Sequence, residues 1–328
     1  MYRAYYDCGT TNTRAYLIKD GNIVRSVNEP VGIKDFALEK DNKKLAKKLH
    51  EIFGLLLENA GINERDVSEI WLSGMVSSPS GLIEVEHIST PVGIEKLKKS
   101  VYEYFEPDFF QKKLKIVPGI KTIKHNESVP PEKARNVNMM RGEETEVFGV
   151  LNENPELKNG ANIIVLPGSH THAVLLKDGV IADISSNITG ELFNAISKDT
   201  ILGASIAGNE NWKIDKEMVK RGADEVHKSG FNRALYILRI QDLFTDLPLN
   251  GRRSYLEGVL NAGVMDAISC MAEKNFPEEN IALTVAGDEI QKDVFSALVE
   301  NENHGKFRIF NAVPQKRPYS VSGILSFF

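Results

Sequence analysis

Residues 5–27 read Y-Y-D-C-G-T-T-N-T-R-A-Y-L-I-K-D-G-N-I-V-R-S-V, and the reading of this stretch decides the fold. An aromatic-rich strand runs into Asp7, the chain tightens through Gly9-Thr10-Thr11, and a second strand leaves from Thr13 to Ile18. Asp20-Gly21 is a strong two-residue hairpin signal, because both central positions of such a turn want positive φ. A strand, turn and strand with an aspartate at the strand end has a recognisable use. Gly9 lets a phosphate come close to the backbone, and Thr10, Thr11 and the turn amides hydrogen-bond it. Arg14 adds a cation, and Asp7 holds a hydrated Mg²⁺. Taken alone, the same residues also serve as plain turn geometry.

A second copy changes the balance. Residues 162–185 read N-I-I-V-L-P-G-S-H-T-H-A-V-L-L-K-D-G-V-I-A-D-I-S. An apolar strand enters Gly168-Ser169-His170, a strand leaves, Lys177-Asp178-Gly179 turns the chain, and a third strand returns. The Lys-Asp-Gly turn begins ten positions after Gly9 in the first copy and nine after Gly168 in the second. Two hairpins of one design in the two halves suggest a duplicated domain. Facing each other across an interdomain cleft, they would clamp a nucleoside triphosphate from both sides. That arrangement resembles the superfamily of actin-like ATPases and sugar kinases.

The chain is long enough for two such domains, with 328 residues, 42% hydrophobic and 26% charged. A net charge of −5 implies no basic face for nucleic acid. Cys8 and Cys270 are the two cysteines. They offer neither a disulfide framework nor metal-ligand spacing, so a reducing cytoplasm is the natural setting. The sequence shows no secretory signal and no run of the ~20 apolar residues that a membrane span needs.

The expected architecture is α/β, two ribonuclease-H-like (actin-like ATPase) domains with mixed sheets. The N-terminal domain is expected over residues 1–132 and the C-terminal domain over 133–328. Helical periodicity is read at 38–60, 94–105, 141–152, 190–201, 216–227, 231–243, 253–274 and 289–300, with a final amphipathic stretch at 319–328. Strands are read at 69–72, 114–117, 281–285 and 307–310 beside the two hairpins, and 120–138 is read as a loop or crossover.

No P-loop, dinucleotide fingerprint, H-E-x-x-H or G-x-S-x-G occurs, so any nucleotide must be held by the paired hairpins. Met140-Arg141-Gly142-Glu143-Glu144-Thr145 opens a helix with carboxylates in its first turn. These are routine partners of the helix dipole, and at a cleft mouth they also suit a general base. The sugar kinases of the FGGY family open the equivalent helix with Gly-Asp-Gln-Gln, whose acid is their base, and Gly142-Glu143 resembles that stretch. Thr284-Val285-Ala286-Gly287 turns from a strand into a helix, where this superfamily lays the adenosine. Ser73–Ser78 is a Ser-rich loop at the end of a first-half strand.

In order along the chain stand Asp7-x-Gly9-Thr10-Thr11-Asn12-x-Arg14, Gly74-Met75-Val76, Asn136-Val137, Met140 to Thr145, Pro167-Gly168-x-His170, Thr189-Gly190-Glu191-Leu192 and Val285-Ala286-Gly287. Together they resemble the 2-dehydro-3-deoxygalactonokinase family nearly end to end, with departures at Cys8, His172 and Asp288. The resemblance implies ATP-dependent phosphorylation of the 6-hydroxyl of a 2-keto-3-deoxy sugar acid with Mg²⁺. It places Glu143 as the base, with Glu144 as the alternate, and Asp7 as the Mg²⁺ organiser through water. Phosphates fall to Gly9, Thr10, Thr11, Arg14, Gly168, Ser169 and His170, and the adenosine to Gly287. Ser73, Met75, Ser77 and Arg141 are the substrate-side residues, Arg141 for the carboxylate. The partners are ATP and the sugar acid, with no nucleic acid and no membrane, and a homodimer is compatible. A kinase of another small sugar or sugar acid stays open, as does a weakly catalytic nucleotide-binding regulator on the same fold.

Overall fold

The computed structural model describes residues 1–37, 42–124, 127–208, 212–277, 280–301, 306–313 and 315–328. Its contacts separate two compact units, Met1–Glu156 with Val313–Phe328, and Leu157–Ala312.

The first unit opens with β1 (Tyr2–Cys8), β2 (Thr13–Lys19), β3 (Asn22–Glu29), α1 (Lys34–Ala37) and α2 (Asn42–Glu58). It continues through β4 (Val67–Gly74), β5 (Ile88–Ser89), α3 (Ile94–Lys99), β6 (Tyr102–Glu106) and β7 (Lys112–Ile116). After β8 (Ile120–Lys121) and β9 (Met139–Met140) comes α4 (Glu143–Glu153). Six strands form a mixed sheet in the order β3-β2-β1-β4-β7-β6. β1 is antiparallel to β2 and parallel to β4. Ala4, Tyr6 and Cys8 of β1 are buried with Leu45, Leu49, Ile52, Phe53 and Leu56 of α2 in one core. That is the helix stripe read from periodicity; the first residues of the expected 38–60 helix, 38–41, lie outside the described residues.

Two expectations need correction here. The helix read at 94–105 ends at Lys99, and Tyr102–Glu106 pairs antiparallel with β7 as an edge strand. Alternating aromatic residues in Tyr102-Glu103-Tyr104-Phe105 favour a half-covered strand over a helix. The final stretch is not amphipathic, for all six residues of α11 (Tyr319–Ile324) are buried.

The second unit holds β10 (Ala161–Leu166), β11 (His170–Lys177), β12 (Val180–Ile188), α5 (Gly190–Asp199), α6 (Gly203–Ile206), α7 (Lys216–Ser229), α8 (Phe231–Phe244), α9 (Leu249–Asn275), β13 (Ile281–Val285), α10 (Glu289–Asn301) and β14 (Phe307–Ile309). Its sheet runs β12-β11-β10-β13-β14, repeating the antiparallel hairpin and parallel neighbour of the first unit. α9 is longer than the expected 253–274. Its middle is buried on every side, which erases the amphipathic stripe that would mark its ends.

The compact units divide the chain differently from the 132/133 boundary. Residues 133–156, including α4, and residues 313–328 belong with the first sheet. The reason is a backbone-to-backbone crossing of α4 and α11. A Cβ on Gly149 would stand 1.9 Å from the Tyr319 carbonyl oxygen, and one on Gly323 would stand 1.8 Å from that of Thr145. Only hydrogen at those positions lets two helices approach so closely.

Candidate functional site

In the first unit the end of β1 and the start of α4 are brought together by two glycines. Gly74 ends β4 at φ 85° and Gly142 precedes α4 at φ 116°. A Cβ on Gly142 would lie 3.1 Å from the Gly74 Cα, and one on Gly74 would lie 2.4 Å from the Cys8 carbonyl oxygen. Both the left-handed φ and the crowding require glycine. Beneath them the Tyr5 hydroxyl sits 2.7 Å from Ser73 Oγ and 3.3 Å from Thr145 Oγ1, tying β1, β4 and α4 at one point.

This junction sets Asp7 among charges. Arg14, its register partner on β2, approaches Asp7 Oδ2 with Nη1 at 3.5 Å. Ser320 of α11 approaches the same oxygen with Oγ at 3.4 Å. Burial pushes the Asp7 carboxyl above its ordinary range, Arg14 and Ser320 pull it down, and the Glu143 charge pushes it up again. Glu143 is half-buried, and its Oε2 accepts from the Arg141 backbone N–H at 3.0 Å. Glu144 is fully buried and turned back onto the Gly142 N–H, at 2.8 and 3.0 Å. Burial, reinforced by Glu143, raises its carboxyl to about 8. Glu144 therefore closes the helix start, while the neighbouring Glu143 keeps an accessible face.

Two members of this group escaped the sequence reading. Glu146 lies one turn after Glu143, and burial together with Asp7 and Glu143 raises it to about 8. Its spacing of three from Glu143 was the available signal. Ser320 had none, because it comes from the far end of the chain.

The substrate-side residues fare differently. Ser73 and Ser77 are fully buried, and the Ser77 hydroxyl donates to the Gly74 carbonyl at 3.0 Å. The terminal nitrogens of Arg141 are committed within the protein. Nη1 donates to the Ser77 carbonyl and hydroxyl, both at 2.5 Å, and Nη2 to the Val85 carbonyl at 3.2 Å. Nη2 also donates to His87 Nδ1 at 3.0 Å. Burial and the Arg141 charge push His87 down to about 4, so its ring is a neutral acceptor. Arg141 thus clamps the 77–87 loop rather than presenting its fork to a carboxylate. In the same loop Ser78 has a buried hydroxyl with no partner, and Met75 is half-buried.

In the second unit the turn Pro167-Gly168-Ser169 joins β10 to β11. The Ser169 carbonyl accepts from Glu191 N at 2.9 Å, and a Cβ on Gly190 would meet the Gly168 carbonyl oxygen at 2.3 Å, so α5 is seated against the turn. Thr171 and Thr189 share a buried hydroxyl–hydroxyl hydrogen bond of 2.7 Å. His170 is half-exposed, 3.4 Å from Glu191. His172 is buried in the sheet with Nδ1 3.0 Å from Ser186 Oγ. Gly287 packs beside Pro167 and Gln291, and Asp288 caps α10 by accepting from Gln291 N at 2.9 Å. The departure at Asp288 therefore has a local role as an N-cap. A cavity of about 240 Å³ lies here, lined by Gly168, Thr171 and Thr189 and by Glu257, Asn261 and Gln291. A larger groove of about 450 Å³ lies in the first unit between Asn152, Glu153, Lys316 and Arg317, and none of the expected site residues lines it.

Among the described residues no group of three His, Cys, Asp or Glu is placed to hold a metal ion directly. What the first unit offers is the half-buried carboxylate of Asp7, with Arg14 and Ser320 approaching one of its oxygens. That donor set fits a Mg²⁺ that keeps most of its waters and takes its other ligands from phosphate.

Two mixed sheets with one strand order define an α/β protein of the ribonuclease-H-like, actin-like ATPase class. A crystal structure of a Sinorhizobium meliloti protein, described as a candidate 2-dehydro-3-deoxygalactonokinase, shares this fold. Its TM-score is 0.72 at 20% identity, covering 99% of this chain and 98% of that one. Residues 7–302 match the family described as 2-keto-3-deoxy-galactonokinase, and the chain belongs to that family. Among curated proteins it is 26% identical over 207 residues to "Probable 2-dehydro-3-deoxygalactonokinase DgoK1" of Rhizobium meliloti (strain 1021), over 63% of this chain and 60% of the relative. It is 24% identical over 205 residues to the 2-dehydro-3-deoxygalactonokinase of Escherichia coli (strain K12), over 62% of this chain and 60% of that protein. The chain thus aligns with 60% of the length of each. No helix among the described residues is long and apolar enough to cross a membrane.

Proposed function

We propose that the protein transfers the γ-phosphoryl group of ATP to the 6-hydroxyl of 2-dehydro-3-deoxy-D-galactonate, in the cytoplasm. The observation that carries this reading is the pairing of Asp7, at a hairpin built for phosphate, with Glu143, at a helix start in the same unit. Family membership supplies the substrate class.

In this reading Glu143 accepts the proton of the attacking hydroxyl, because it stands half-buried at the helix start, close enough to Asp7 for the two charges to be felt. Glu144 holds the Gly142 N–H and fixes where the helix begins. Asp7, kept in place by Arg14 and Ser320, holds the water shell of Mg²⁺. When bound, that ion neutralises the negative charge that develops on the phosphates. Gly9, Thr10, Thr11 and Arg14 take the outer phosphates. Gly168, Ser169 and His170 of the second unit take the inner ones, and Gly287 leaves room for the adenosine. The sugar acid lies by Met75 and Ser78, and its carboxylate is met by a group other than Arg141.

The test is a coupled assay of ADP release over a panel of keto-deoxy sugar acids with Mg²⁺. Turnover should appear with 2-dehydro-3-deoxy-D-galactonate and drop when the 6-hydroxyl is absent. ATP binding without turnover on any sugar acid would point to a regulator instead.

A further inference from the structure

The second-unit cavity has a charged wall that the scheme above leaves unused. Glu257 of α9 retains 8% of its exposure and Asn261, one turn on, 2%. Asn261 Nδ2 donates to Glu257 Oε2 at 3.1 Å and to the Glu257 backbone carbonyl at 3.0 Å. Gln291 gives the carboxyl a further side-chain hydrogen bond. Both partners are neutral amides. A buried carboxylate held by amides is costly to keep unless something else brings it donors. It also has capacity for more, since a carboxylate offers about four acceptor positions.

We infer that Glu257, positioned by Asn261 and Gln291, accepts hydrogen bonds from the ribose hydroxyls of the bound nucleotide. This rests on the kinase reading. Gly168, at the phosphate-binding turn, lines the same cavity as Glu257. In a nucleotide the sugar is the part joined directly to the phosphates, so the ribose comes next to that turn and the base lies farther on. A vicinal diol presents two O–H donors, which suits a carboxylate, while Leu260 and Phe193 in the same wall suit the apolar face of the sugar ring. The Asn261 amide is turned onto the carboxylate, so its part is to position Glu257.

The experiment compares ADP and 2′-deoxyADP by calorimetry on the full chain, wild type and Glu257→Gln, with ATP kinetics alongside. A charge-assisted hydrogen bond predicts that wild type prefers ADP about ten-fold or more. Glu257→Gln should shrink that preference to about two-fold, a neutral acceptor being weaker. KM for ATP should rise while kcat holds. Glu257→Asp, with the charge withdrawn by a methylene, should fall between the two and stands in if the glutamine variant misfolds. Equal binding of both nucleotides by wild type, or an unchanged preference in the variants, overturns the inference and leaves the kinase reading intact. A variant that loses discrimination against inosine 5′-diphosphate instead overturns it in favour of a contact to the base amine. Wild type that binds neither nucleotide removes the kinase reading and this inference together.

Discussion

In the first hairpin Asp20 and Gly21 turn the chain at φ 50° and 76°; in the second, Asp178 and Gly179 do so at 50° and 74°. Each outgoing strand shifts register shortly before that turn, at Leu17/Ile18 and at Leu175/Leu176. The backbone is one design used twice. Two residues before Gly9 and before Gly168 the designs part. Asp7 pairs in register with Arg14, whereas Leu166 pairs with His172, which is buried against Ser186. A buried leucine–histidine pair offers no carboxylate to a hydrated cation, and a half-buried Asp with an arginine beside it does. On the proposed reading, the metal-side and base carboxylates both belong to the first unit, and the second contributes a turn and a cavity for the nucleotide.

The largest expected effect tests that asymmetry at its centre. Asp7→Asn keeps the shape and removes the charge, and Mg²⁺-dependent turnover should fall by about 10³-fold or more. Near-normal rates at saturating Mg²⁺ would make the first hairpin as structural as the buried Leu166–His172 pair. Next comes Glu143→Gln, for which kcat should fall by about 10²–10⁴-fold with KM for ATP nearly kept. A rise in the KM for ATP at constant kcat would mean that Glu143 serves nucleotide binding instead of proton transfer.

A third test sharpens the division of labour between neighbours. Glu144 has its carboxyl raised from 4.5 to about 8. Between those values the folded protein holds a proton that the unfolded chain has released. The stability this gives is complete below the lower value and is lost as pH rises through the upper one. Glu144→Gln cannot ionise, so its melting temperature relative to wild type should climb between about pH 5 and pH 9. Glu146 and Glu257 titrate in the same window but are common to both proteins and cancel. A flat difference would mean that Glu144 stays ionised on the Gly142 N–H. The smallest effect belongs to the second hairpin. His170→Ala removes an exposed group with an exposed partner, so KM for ATP should rise about two- to ten-fold with little change in kcat. A loss as deep as that of Asp7→Asn would erase the asymmetry.

The hairpins were legible because turn chemistry is local: Asp-Gly needs no distant partner to declare itself. Glu143 was legible as an acid in the first turn of a helix read from Arg141, and the structure starts that helix two residues later, after Gly142. Arg141 misled because an arginine at a helix start looks equally ready for a ligand or for a loop, and the choice is made by Ser77, Val85 and His87, far away in sequence. Glu257 and Asn261 were hidden inside a helix that is buried all round, where two polar residues one turn apart do not disturb the apolar count. Ser320 could not be found at all, since nothing before folding links the chain's last helix to its first strand.

The return of that last helix has a consequence for synthesis. The second unit is one uninterrupted segment, whereas the first is closed by residues 313–328. There Phe327 and Phe328 pack on Trp71, and Arg3 lies over the Phe328 ring. On a growing chain the last helix of the first unit is therefore made after every segment of the second, and until it docks the Gly149 face of α4 waits uncovered. The half that carries Asp7 and Glu143 is begun before the second unit and finished after it. A released chain truncated before Val313 should resist protease over 157–312 and be cut within α4.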